Sequence, residues 1–206
     1  MQDEKVATAR GVDPVMSPPW LFVDLDQSLL RGDLLWEGLV GLLRSAPLRL
    51  LALPFWLLSG RAIFKQRLSE AVPLSPAGLP FRLSVIEYVH SARAQGRSVV
   101  LASASPQIWV QAVADHLGCF DGVLASDGQR NLKGPEKLAA IRACAGEQPF
   151  EYVGDSSADI PIWNAAAVAT LVGPGRAHEK KLADGPSVQT LSEGESLSLR
   201  GGLFRE

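Results

Sequence analysis

The sequence predicts an α/β fold: a Rossmann-like open parallel sheet with a small helical cap inserted after the first strand. Three observations carry this expectation. Short apolar runs recur along the chain, each long enough for a strand buried on both faces. Helical segments with readable ends alternate with them, the rhythm of right-handed β-α-β crossovers. One strongly apolar helical stretch, directly after the first run, breaks that rhythm. The chain has 206 residues, 47% of them hydrophobic, which suits one domain core with an inserted subdomain. A formal net charge of -2 excludes the basic footprint of a nucleic-acid binder.

Taken in order, residues 1–18 are polar and end in prolines, without the apolar core of a signal peptide, and read as a flexible lead-in. The expected strands are 20–24 (WLFVD), 98–102 (SVVLA), 122–125 (GVLA), 150–154 (FEYVG) and 167–172 (AVATLV). A helix over 83–95 should stop at Gly96, suited to a left-handed C-terminal cap. A second, over 107–117, should stop at Gly118, and a third should start at Pro135 and end near Gly146. The PSVQTL segment (186–191) can add an edge strand, and residues 191–206 are expected to form a mobile tail. The core is thus expected over 19–31 and 81–190, with the cap over 32–80.

The cap segment opens with Asp33 as a plausible N-cap and is interrupted by Pro47 and Pro54. Glu37, Arg44, Arg49 and the two prolines leave no clean run of about 18 apolar residues, so a transmembrane span is not expected. Packing of its apolar faces internally is favoured over an interfacial surface for lipid. Cys119 and Cys144 lack metal-ligand spacing and read as free thiols of a cytoplasmic protein. His90, His116 and His178 form no ligand pattern either.

In an open α/β sheet, ligands bind beyond the carboxyl ends of the strands. LFVDLDQSLL puts Asp24 and Asp26 at one such end, VVLASASP puts Ser103 at another, and YVGDSSAD places Asp155 and Asp159 after a third. Lys133, in NLKGPEK, lies just before a helix. Carboxylates gathered there repel one another, and a divalent cation with a taste for hard oxygen ligands, Mg²⁺, would relieve the repulsion. A lysine and a hydroxyl beside such a cation make a site for a phosphoryl group. One carboxylate can then attack phosphorus, and its crowded neighbour two residues on can shuttle a proton.

These four motifs, in order from Trp20 to about Pro174, resemble the haloacid dehalogenase-like (HAD) phosphohydrolase superfamily. The resemblance implies Asp24 as nucleophile and Asp26 as general acid/base, with the Asp26 backbone carbonyl also a Mg²⁺ ligand. It implies Ser103 as a phosphoryl ligand and Lys133 as the cation that orients Asp24. Asp155 would coordinate Mg²⁺ and Asp159 would support the metal site. The second aspartate resembles the phosphatase branch. Gln27-Ser28 replaces the usual Gly-Thr; the reading here is that the backbone does not require glycine at 27. Ser105 is read as a helix cap, not a phosphate ligand.

Only about 30 residues separate Ser103 from Lys133, too few for a second cap by loop-length expectations. The phrases DLLWEGLVGLLRSAPLRLLALPFWLLSGRAIFKQRL, LPFRLSVIEYVHSARAQGRSVVLASAS and HLGCFDGVLASDGQRNLKGPEKLAAI resemble the N-terminal HAD domain of bacterial UbiA-type prenyltransferase proteins. That resemblance implies a phosphorylated substrate, small or lipid-linked, and an association with the inner face of a membrane or with a prenyltransferase. A Mg²⁺-dependent phosphomonoesterase is the leading expectation. A phosphotransferase or mutase of the same chemistry, or a regulatory docking module, stays open beside it.

Overall fold

The computed structural model describes residues 18–182 and 185–191; the expected lead-in and mobile tail fall almost wholly outside them. All six strands run parallel: β1 (Trp20–Val23), β2 (Ser98–Pro106), β3 (Gly122–Ser126), β4 (Phe150–Gly154), β5 (Val168–Val172) and β6 (Ser187–Leu191). Their order is β3-β2-β1-β4-β5-β6. The order reverses direction at β1, so β1 and its neighbours β2 and β4 flank the crevice where such sheets take ligands.

Among the described residues, seven α-helices accompany the strands: α1 (Leu34–Ser45), α2 (Leu53–Leu58), α3 (Arg61–Ala71), α4 (Leu83–Ala94), α5 (Gln107–Leu117), α6 (Pro135–Ala145) and α7 (Ile160–Trp163). The expected stops hold, with Gly96 at φ +76° and Gly118 in the left-handed region at φ +61° after their helices. The period-2 alternation of strand side chains divides the core. Leu21, Val23, Val99, Leu101 and Val153 face one side, under α1, α4 and α5; Phe22, Val100, Ala102, Tyr152 and Ala169 face the other, under α6 and α7.

Strand β4 also carries Glu151, a buried charge the apolar pattern conceals. It forms an ion pair with Arg97 (2.6 Å) and accepts hydrogen bonds from Tyr88, Thr170 and Gln189. Gln189 thereby ties the edge strand β6 to the sheet interior. A buried carboxylate is tolerated only when satisfied in this way.

The insertion leaves the core after Leu30 and returns at Phe81, residues that pair across an antiparallel bridge. Arg31 N–H donates to Pro80 O (2.9 Å) and Arg82 N–H to Leu29 O (2.8 Å), closing the neck. Asp33 caps α1, its carboxylate accepting from Leu35 N–H at 2.7 Å. Trp109 of α5 docks the insertion: its indole donates to Val72 O at 2.9 Å, and its ring fills the space beside Gly38. A Cβ at Gly38 would lie 2.0 Å from that ring, so only glycine permits this approach.

Internal packing of the cap's apolar faces holds for one side of the insertion only. Leu34, Leu42, Leu68 and Val72 join the core, but Leu43, Leu48, Leu51, Phe55, Leu57 and Leu58 are exposed. The reason is geometric: apart from Arg49 the run from 47 to 58 is apolar on every side, and a single helical layer can bury only one of its faces. No helix among the described residues is long and apolar enough to cross a membrane.

Candidate active site

The crevice begins where β1 stops. Asp24 N–H still donates to Val153 O (2.9 Å), so the backbone remains pinned to β4 while the side chain turns into the sheet's carboxyl end. The chain then makes a wide turn, closed by Leu29 N–H to Asp24 O (3.1 Å) and Leu30 N–H to Leu25 O (2.8 Å). Inside this turn Gln27 sits at φ +61°, ψ −9°. Position 27 thus takes a glycine-like conformation although glycine is not required there. The turn needs left-handed backbone, and Gln27 adopts it against the steric preference of an L-residue.

That turn aims Asp26 across the crevice. Its Oδ1 accepts from Leu34 N–H (2.8 Å), one of the otherwise unpartnered donors at the start of α1. Its Oδ2 accepts from Ser105 Oγ (2.7 Å) and Ser103 Oγ (3.2 Å), both on the tip of β2. A register irregularity between Ala102 and Pro106 bends this tip, and the Ser103 hydroxyl also accepts from Ser105 N–H (2.9 Å). Ser105 does not cap α5, which begins without a side-chain cap. Ser105 lines the crevice, whereas Ser103 is fully buried and positions Asp26. Two serines spaced by one residue on a strand share a face, and that periodicity was the available signal.

The acidic motif after β4 lies opposite. Ser28 Oγ donates to Asp155 Oδ1 at 3.1 Å. Asp159 Oδ1 accepts from Tyr152 OH (2.8 Å), and its Oδ2 accepts from Ser156 N–H (3.1 Å) and Oγ (3.0 Å). Carboxylate oxygens of Asp24, Asp155 and Asp159 all lie within 4.8 Å of one another, and all three residues are buried.

The cation on Asp24 is not Lys133. Lys137 Nζ meets Asp24 Oδ1 at 2.5 Å, donates to Tyr152 OH at 2.9 Å and lies 3.7 Å from Asp159. Lys133 is exposed and lines the same crevice. Pro135 opens α6, so Lys137 falls in its first turn, inside the sheet's mouth, while Lys133 precedes the helix in the loop. NLKGPEK offers both lysines, and only the helix register separates them.

Burial pushes the Asp24 carboxyl up to about 8; Lys137 opposes this, and Asp159 and Asp26 add to it. Burial likewise raises Asp26, against the hydrogen bond from Leu34. Asp155 rises to about 6, through burial and the neighbouring Asp159. Burial would lower the Lys137 ammonium, but Asp24 and Asp159 outweigh it and hold its pKa above the ordinary value. The site thus holds more negative charge than its one buried lysine neutralises, and its carboxylates respond by retaining protons. Such a set of hard, crowded oxygens fits Mg²⁺.

The crevice encloses about 220 Å³, floored by Asp24, Asp26 and Asp155 and walled by Lys65, Ser105 and Lys133. Lys65 comes from α3 of the insertion and donates to Ala104 O (2.7 Å) and Asn131 Oδ1 (3.1 Å). It also lines an adjoining cavity of about 390 Å³ between α3 and α5, with Gln66, Gln107 and Gln111.

The chain is 39% identical over 185 residues to the uncharacterized protein y4nM of Sinorhizobium fredii, covering 89% of this chain and 36% of that protein. The chain thus spans about a third of the length of this relative. A protein of unknown function from Bordetella pertussis superposes with a TM-score of 0.61 at 16% identity, over 84% of this chain and 98% of that one. A phosphoserine phosphohydrolase-like protein from Francisella tularensis superposes with a TM-score of 0.55, also at 16% identity, over 84% and 95% of the two chains. The profile of the haloacid dehalogenase-like hydrolases matches residues 21–163, from the first strand of the sheet to Trp163 beyond the last acidic motif, and the chain belongs to that family.

Proposed function

We propose that the protein is a Mg²⁺-dependent phosphomonoesterase working through an aspartyl-phosphate at Asp24. The buried Asp24–Lys137 pair, set among Asp26, Asp155 and Asp159, carries this reading. Asp24 is fixed by the sheet and by Lys137, so one carboxylate oxygen is held for attack on phosphorus. Asp24 Oδ bonds to phosphorus as the ester P–O bond breaks, and the leaving oxygen takes the proton from Asp26. Retention of that proton follows from the raised pKa of Asp26. Water then attacks phosphorus, Asp26 takes back a proton, phosphate leaves and the Asp24 carboxylate is restored. Lys137 offsets the charge that builds on the transferring group, and Ser103 and Ser105 hold Asp26 at its working angle. Asp24 and Asp155, with Asp159 supporting, would hold Mg²⁺, which when bound draws electron density from the phosphoryl oxygens.

The substrate is a small or lipid-linked phosphomonoester. The small crevice suits the phosphoryl group, and the adjoining cavity offers room for the group it leaves. The resemblance to the N-terminal domain of UbiA-type proteins supports the lipid-linked form. The test is Mg²⁺-dependent phosphate release from an aryl phosphate, with Asp24→Asn and chelator controls. Loss of release in both controls supports the reading. Release insensitive to Asp24→Asn refutes it, and phosphate passing to an added alcohol instead of water marks a phosphotransferase.

A further inference from the structure

Seven of the ten large apolar side chains exposed among the described residues fall between positions 36 and 58. Four of them form a stripe. A tight helical turn over Pro47–Ala52 runs straight into α2, and Leu48, Leu51, Phe55 and Leu58 recur at the spacing of one helix face. They are 82%, 74%, 70% and 85% exposed. Leu50, Leu53 and Trp56, between them, pack against the core, so the insertion is anchored by one face and presents the other to solvent.

The charge around this stripe is predominantly positive, with Glu37 and Glu70 at its margins. Residues 38–69 contain Arg44, Arg49, Arg61, Lys65 and Arg67 and no Asp or Glu, although the whole chain is net -2. Lys65 is turned into the crevice. Arg44, Arg49, Arg61 and Arg67 are exposed, and none of them pairs with a carboxylate among the described residues. We propose that the outer face of the insertion is a docking surface for an anionic phospholipid membrane. Leu48, Leu51, Phe55 and Leu58 enter the headgroup–acyl boundary, and the arginines meet the lipid phosphates.

Lipid fits this face better than a second copy of the chain. Two such faces brought together would set the arginines of one against those of the other, an excess that Glu37 and Glu70 only partly offset. Aliphatic side chains flanked by snorkelling cations are the pattern of a helix lying in a membrane interface.

The test is sedimentation of the full chain with vesicles of phosphatidylcholine alone and of phosphatidylcholine mixed with phosphatidylglycerol. Binding should be at least about ten-fold tighter to the mixed vesicles and should weaken as salt rises. Leu51→Glu/Leu58→Glu should abolish it, and Arg44→Glu/Arg49→Glu should remove the preference for phosphatidylglycerol. All four side chains are exposed, so both variants should keep the parent's thermal melt. A blue shift of tryptophan emission on binding would report entry of Trp36, which is 66% exposed. No sedimentation with either vesicle overturns the proposal, as does equal, salt-insensitive binding to both. Concentration-dependent dimers that Leu51→Glu/Leu58→Glu disperses, without vesicle binding, would assign the face to a protein contact instead.

Discussion

Lys137→Met removes what is, among the described residues, the only buried cation in a cluster of three buried carboxylates. Its ammonium lies 2.5 Å from Asp24 and 3.7 Å from Asp159, and it donates to Tyr152, which in turn donates to Asp159. Taking one partner from a buried pair costs about 3–5 kcal/mol, because the remaining charge is left uncompensated. At about 2–4 °C per kcal/mol for a chain of this size, the melting temperature should fall by about 6–20 °C. The cost should be greatest in metal-free buffer above about pH 8, where Asp24 is ionised, and shrink in acid, where Asp24 keeps its proton. Adding Asp24→Asn to Lys137→Met should recover part of the loss, the signature of a coupled pair in a double-mutant cycle. Lys133→Ala, at an exposed position, should change stability by less than about 0.5 kcal/mol. The assay is thermal and urea unfolding of these variants and of Asp24→Asn alone beside the parent. If Lys137→Met unfolds like the parent and Lys133→Ala does not, the assignment of Lys137 is wrong.

Metal-free protein should lose stability as pH rises. Burial pushes Asp24 up to about 8 and Asp155 up to about 6 in the folded state, against 3.8 ordinarily, so between those values the native state holds protons the unfolded chain has released. Mg²⁺ should raise the melting temperature more at high pH than in acid; a shift independent of pH would contradict the proposed ligands. Gln27→Gly should stabilise by about 0.5–1 kcal/mol, the left-handed strain relieved less the extra freedom of an unfolded glycine, and a lowered melt would argue against the turn as described. Gly38→Ala should destabilise by about 1–3 kcal/mol, since its methyl must displace Trp109 or part the insertion from α5; a neutral melt would show that the contact is loose.

The sheet was legible in the sequence because strands buried on both faces must be continuously apolar, and their bounding glycines and prolines announce the turns. The three acidic and hydroxyl motifs were legible for the same reason, since each sits at the end of such a run. Mainly local choices were hidden. Lys137 and Lys133 stand four residues apart in one segment, and the start of α6 decides which of them enters the cluster. Ser105 and Ser103 are both present, and the bend at the end of β2 lets both reach Asp26 while only Ser105 lines the crevice. Gln27 gives no outward sign of its left-handed backbone, which the turn after β1 imposes through hydrogen bonds to residues on either side. The insertion was recognisable as apolar and helical, but composition carries no direction. Sequence by itself therefore determined the strand and helix pattern and the inventory of reactive groups, through periodicity and chemistry. Tertiary packing alone decided which lysine neutralises Asp24 and which apolar faces stay uncovered, because both depend on what lies across the gap and not on neighbours along the chain.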